Sequence, residues 1–164
     1  MGEEEQSEIV LDHGTDTIKA GFGGDDAPHA EFSSLVGCSK VPKTSSDSGI
    51  EKVYIGDEAM IKRKLLKLTF PIEHGMITSW DAMEKIWQHT FSNELRVDSE
   101  EHPVLCTETP FTPKQSREKL AEKMFELFGI PAIHISSQHM LSLFAVGRTT
   151  GLVIGAGEGT PWVR

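Results

Sequence analysis

Cysteine is nearly missing from this chain: Cys38 and Cys106 are the only two. That number is too few for a disulfide framework or a cysteine-based zinc site, and it fits a reducing, cytosolic compartment. No apolar stretch approaches the roughly 18 residues that a membrane-spanning helix needs. The acidic N-terminus carries no apolar run of the signal-peptide kind. Met1-Gly2 opens like a myristoylation signal, but Gln6 stands where Ser or Thr is required. Basic residues are also in the minority. Lys and Arg number 16 against 25 Asp and Glu, a net charge of −9. That balance argues against nucleic acid or an anionic membrane, both of which need a basic face, so neither is expected as a partner. Basic partners are compatible with it, and the run Glu3-Glu4-Glu5 reads as a solvated tail.

What the chain does have is two glycine-rich turns, each after an apolar run. The first reads Ile9-Val10-Leu11-Asp12-His13-Gly14-Thr15-Asp16, and the second Leu152-Val153-Ile154-Gly155-Ala156-Gly157-Glu158-Gly159. A strand followed by closely spaced glycines delivers backbone N–H groups to a phosphate. Two such segments suggest a phosphate gripped from both sides.

The rest of the chain reads as an α/β layer fold with a mixed sheet. Residues 8–12 and 17–22 are strands of a hairpin around a Gly/Asp turn, and Gly21 to Pro28 is a loop by composition. Residues 37–52, rich in Ser, Asp and Lys, read as a mobile surface excursion. Val53-Tyr54-Ile55 reads as a strand and 57–66 as a short helix. A first marked helix begins at Thr78, with Asp81 completing a capping box. It buries Met83, Ile86, Trp87, Thr90, Phe91 and Leu95 at helical spacing. A second begins at Thr112 with Pro113 at its first helical position and Gln115 completing a box, buries Leu120, Ala121, Met124, Phe125 and Phe128, and ends at Gly129. A third starts at Ser136 or Ser137, runs to Gly147 and buries Leu141, Phe144 and Ala145. Strands at 103–107 and 132–135 lie between the helices, with Cys106 in the core. No internal repeat or low-complexity segment is visible.

Several runs carry a closer likeness. They are Lys19-Ala20-Gly21-Phe22-Gly23-Gly24-Asp25-Asp26-Ala27-Pro28, Tyr54-Ile55-Gly56-Asp57-Glu58-Ala59, Pro71-Ile72-Glu73-His74-Gly75, Asn93-Glu94-Leu95-Arg96-Val97, Glu101-His102-Pro103-Val104-Leu105 and Gly147-Arg148-Thr149-Thr150-Gly151. By these runs the sequence resembles the actin and actin-related protein family, over that family's N-terminal portion. The resemblance implies an actin-like ATPase domain of ribonuclease-H-like fold. Residues 1–34 and 71–145 would form subdomain 1 without its C-terminal part, 35–70 subdomain 2, and 146–164 the start of subdomain 3. The tail Pro161-Trp162-Val163-Arg164 departs from the family's continuation, so the expectation is a truncated, divergent member.

The resemblance also implies roles. Gly14 and Thr15 would hold the β- and γ-phosphates of ATP. Asp12 would act through water on Mg²⁺, an ion that keeps several waters. Lys19 would neutralise the phosphates. Gly157, Glu158 and Gly159 would form the second phosphate turn. Gln138 would orient the attacking water without adding charge repulsion. His74 matches a histidine near the phosphates. Outside that frame, Asp12 reads as a turn residue, Lys19 as a solvated strand lysine, Gln138 as a helix-start residue and His74 as a packed loop histidine.

Four positions depart from the family pattern, the mildest being Glu158, which replaces an aspartate that supports the phosphates through its backbone. Asp16 stands where glycine is usual, and puts a carboxylate beside a polyphosphate. Gly155 replaces an aspartate that helps hold the cation's waters, and Ala156 replaces a serine. ATP/ADP with Mg²⁺ is therefore expected to bind weakly or not at all, and hydrolysis to be absent or very slow. The excursion tip, Val41 to Ile50, is polar where the family carries apolar residues, so filament assembly is not expected. Actin or actin-binding proteins are the implied partners, and the cytoplasm and cytoskeleton the implied location. A second reading is a nucleotide-independent interaction module. A third, a phosphotransferase of the sugar-kinase or Hsp70 type, is opposed by the runs at 71–75 and 93–105. A fourth is a fragment that does not fold stably alone.

Overall fold

Alternating burial along two short strands builds the centre of the molecule. In the computed structural model, which describes residues 7–39, 52–159 and 161–163, β1 (Ile9–His13) and β2 (Thr17–Phe22) pair antiparallel across the first glycine turn. β3 (Ala30–Ser33) continues the meander along β2. β4 (Val36–Ser39), β5 (Val53–Ile55) and β6 (Leu66–Thr69) form a second, three-stranded sheet in the order β5-β4-β6, with α1 (Gly56–Ile61) between β5 and β6. β7 (Ile72–Glu73) and β8 (Met76–Ile77) make a small hairpin turning at His74 and Gly75, both at positive φ. α2 (Trp80–His89) runs into a π-helical segment, Thr90–Leu95. Then come β9 (Val104–Glu108), α3 (Lys114–Phe128), β10 (Ile133–Ser137), α4 (Gln138–Ala145) and the short pair β11 (Ile154–Gly155) and β12 (Trp162–Val163).

The main sheet has the order β10-β9-β1-β2-β3. β10, β9 and β1 run parallel, and β2 and β3 run antiparallel to their neighbours, so the sheet is mixed as expected. Ile9, Leu11, Ile18, Val104 and Cys106 are buried in it together with Met83, Ile86, Trp87 and Phe91 of α2 and its extension. Leu120, Met124 and Phe128 of α3 complete the same core. Each such side chain contributes about 1.5–3 kcal/mol when fully buried. The stripe read on α2 is buried at all six positions.

Several elements differ from the sequence reading. α2 starts at Trp80, because the Thr78 hydroxyl donates to the Pro71 carbonyl at 3.4 Å instead of capping the helix. α3 starts at Lys114, because the Thr112 hydroxyl turns back to the Thr109 carbonyl. Neither helix has a side-chain cap, so neither capping box forms. On α3, Ala121 is only half-buried and Phe125 is 46% exposed. α4 buries none of its residues: Leu141 is half-buried, Ala145 exposed and Phe144 52% exposed. β4 takes in the start of the expected excursion, β6 begins at Leu66, the last residue of the expected helix, and β3 lies in a stretch for which the sequence suggests no element. Gly37, Cys38 and Ser39 belong to β4, and α1 ends at Ile61, short of the helix read over 57–66. The remainder of the excursion, 40–51, lies outside the described residues.

Candidate functional site

The three parallel strands end at one edge, and each ends on polar residues. Asp12 and His13 close β1, Thr107 and Glu108 close β9, and Ser137 closes β10 with Gln138 opening α4. Ligands of open α/β sheets bind outside such carboxyl ends. A cleft of about 780 Å³ opens there, walled by both glycine-rich turns. Asp12, Gly14, Thr15, Lys19 and Gln138 line it, as do Gly157 and Glu158. Asp16, Gly155 and Ala156 line it too.

Asp12 is held from two directions. The Thr107 hydroxyl donates to its Oδ1, and Gln138 Nε2 donates to the same oxygen at 3.0 Å. The backbone N–H of His13 in turn donates to the Thr107 hydroxyl oxygen at 3.3 Å. These bonds fix the carboxylate at the cleft floor. Among the described residues no protein group donates to Oδ2. Among the described residues there is also no cluster of three or more His, Cys, Asp or Glu able to ligate a metal directly.

The first turn is occupied with itself. The Gly14 N–H donates to the Thr17 carbonyl at 3.1 Å, and a Cβ at Gly14 would collide with that carbonyl. This amide therefore closes the turn. Thr15 Oγ1 accepts from the Gly75 N–H at 2.9 Å, which leaves its own hydrogen to donate. Lys19 Nζ stands 3.8 Å from Glu31 Oε1, and both side chains are exposed, so the pair is weak. Asp16 accepts from the Thr17 hydroxyl at 3.3 Å.

The second turn touches the first at its far end. Gly159 is not among the cleft-lining residues. Its carbonyl accepts from His74 Nδ1–H at 2.8 Å, and its φ of +100° packs it against Thr15 and His74. The His74–Gly159 bond and the packing of Gly159 on Thr15 thus join the two turns.

Two groups at the cleft were not anticipated as site residues. Thr107 was visible only as part of an apolar strand, yet its hydroxyl bridges His13 and Asp12. His13 is buried, and Trp87 Nε1 donates to its Nε2 at 2.9 Å. Burial pushes the His13 imidazole down from 6.5 to about 4, against the opposing pull of Asp12. Burial likewise raises the Glu108 carboxyl, with Arg117 acting against it. Arg117 Nε lies 3.4 Å from Glu108 Oε2, within ion-pair range but not aligned for a hydrogen bond. Cys106, fully buried, has its thiol pushed up to about 12, as fits a core residue.

A family model described as Actin matches residues 3–163. The chain belongs to the actin family. Its mixed sheet with flanking helices is the α/β arrangement that membership implies. The actin family generally binds ATP with Mg²⁺ and is typically cytoskeletal and cytoplasmic. Among the described residues no helix is long and apolar enough to cross a membrane.

Proposed function

We propose that this actin-family chain keeps a weakened Mg·ATP cleft in which hydrolysis is absent or very slow. The observation that carries the reading is the shared anchoring of Asp12 by Gln138 and Thr107 at the floor of a cleft walled by both glycine turns. In this reading Asp12 meets Mg²⁺ through water. Thr15 donates its hydroxyl to the phosphates, and the backbone around Gly14, Gly157, Glu158 and Gly159 shapes their seat. Lys19 leaves its weak pair with Glu31 to neutralise phosphate charge. Gln138 orients the attacking water.

The same cleft contains the reasons for impairment. Asp16 brings a carboxylate to its wall. Gly155 and Ala156 bring neither a carboxylate nor a hydroxyl to the cation side. A missing charged site group costs about 3 kcal/mol, roughly two orders of magnitude in rate. The test is phosphate release from Mg·ATP alongside thermal unfolding with and without nucleotide. The reading expects an upward shift of Tm with Mg·ATP and no release above background. Turnover at the rate of a polymerising actin would overturn the impairment, and no shift at millimolar Mg·ATP would overturn the binding.

We further assign 1–34 and 71–145 to an actin-like subdomain 1, 35–70 to subdomain 2 and 146–164 to the start of subdomain 3. The polar run Val41 to Ile50 offers little apolar area for a neighbouring subunit. Self-assembly is therefore not part of the proposed role, whereas contact with actin or actin-binding proteins at the cytoskeleton is. A filament pellet under polymerising salt would contradict this.

A further inference from the structure

The second sheet ends in an edge whose chemistry differs from the rest of the chain. β6 is the outer strand of the order β5-β4-β6, and among the described residues no strand pairs with its free side. Residues 60–70 hold four of the 16 basic residues, Lys62, Arg63, Lys64 and Lys67, and no acidic one. The remaining residues hold 12 basic against 25 acidic. Lys62 is engaged by Glu58 and lies over the Tyr54 ring at 4.0 Å. Arg63 reaches Met60 Sδ at 3.8 Å. Lys64 and Lys67 are exposed and, among the described residues, pair with no carboxylate. Leu65 is 71% exposed and Phe70 53% exposed, one at each end of β6. Its inward side chain, Leu66, is buried against Leu35 and Ala59, so the strand itself is firmly seated.

Lysine on an edge strand commonly serves to repel other strands. An edge kept for that purpose would not be bracketed by two large exposed apolar side chains. We propose that β6 is a docking edge for an extended, acidic segment of a partner protein, which adds as a fourth strand. The partner's main chain would pair with the unpaired backbone of β6, its carboxylates would face Lys64 and Lys67, and its apolar side chains would cover Leu65 and Phe70. An anionic bilayer or a nucleic acid cannot match the strand's backbone donors and acceptors, and the acidic remainder of the chain would repel either extended surface. The inference does not depend on the nucleotide cleft.

The probe is a fluorescein-labelled peptide of about eight residues alternating Glu and Val, long enough to span the edge. It is titrated with the full chain in nucleotide-free buffer while anisotropy is read. Saturable binding is expected, weakened about tenfold by the K64E/K67E double substitution and by raised salt. The same peptide N-methylated at alternate residues, which removes main-chain donors, should also bind about tenfold more weakly. Circular dichroism establishes that the variant keeps its fold; if it does not, the N-methylated peptide against the unaltered chain decides alone. No saturable binding, or equal binding of the methylated peptide, overturns the proposal. So does tighter binding to phosphatidylserine-containing vesicles or to oligothymidylate than to the peptide.

Discussion

Gln138 and Asp12 stand 126 positions apart in sequence, yet the Gln138 amide donates to Asp12 Oδ1 at 3.0 Å. This bond joins the start of α4 to the end of β1 across the edge of the sheet. It makes separate roles for the two residues testable. Asp12→Asn removes the charge that faces the cation, whereas Gln138→Ala removes one neutral donor to a carboxylate that Thr107 still holds. Asp12→Asn should abolish the Mg·ATP-induced rise in Tm. Gln138→Ala should lower stability by about 1 kcal/mol and keep most of that rise. Differential scanning fluorimetry with and without Mg·ATP distinguishes them, and equal loss in both variants would contradict the assignment.

The departures at the cleft predict gains as well as losses. Gly155→Asp together with Ala156→Ser would return a carboxylate and a hydroxyl to the cation side. Asp16→Gly would remove a charge from the first turn. Each change is worth about 1–3 kcal/mol if the cleft seats a phosphate as proposed, so affinity for Mg·ATP should rise roughly tenfold or more. Isothermal titration of the triple variant against the unaltered chain reads this directly. An unchanged affinity would show that these positions do not govern nucleotide binding.

The legibility of the fold in the sequence followed the length of each pattern. α2 was readable because Met83, Ile86, Trp87, Thr90, Phe91 and Leu95 repeat at helical spacing over more than three turns. β3, β4 and β6 have four residues each, too few for alternation to stand out against a polar background. The helix starts were misplaced because Thr78 and Thr112 bond to Pro71 and Thr109, carbonyls outside their helices. The apolar face of α4 has helical spacing, but spacing alone does not say whether an opposing surface covers it. In the cleft, Asp12 and Gln138 were visible through family likeness. The Thr107 bridge was not, because it depends on the parallel register of β9 beside β1.

Burial differences between helices set different mutational costs. Ile86 lies fully buried on α2, so Ile86→Ala leaves a cavity and should cost about 2–5 kcal/mol. Phe144 on α4 is 52% exposed, and Phe144→Ala should cost under about 1 kcal/mol. Urea unfolding of both variants provides the comparison. A larger loss at Phe144 would mean that α4 is covered in solution.

His13 gives the fold a defined acid sensitivity. Its imidazole is buried and accepts from Trp87 Nε1, a bond that only the neutral ring can make through Nε2. Its folded pKa of about 4 lies below the ordinary 6.5. Between those two values the unfolded chain binds a proton that the folded chain refuses. Stability is thus fully present above about pH 6.5, falls as pH drops through that window, and levels off below about 4. The total contribution is about 3 kcal/mol. Urea midpoints measured from pH 7.5 down to pH 4.5 should fall accordingly. His13→Asn should start from lower stability, having lost its packing against Trp87, and should show a shallower slope across the window. An equal slope in the two proteins would place the acid sensitivity on other groups.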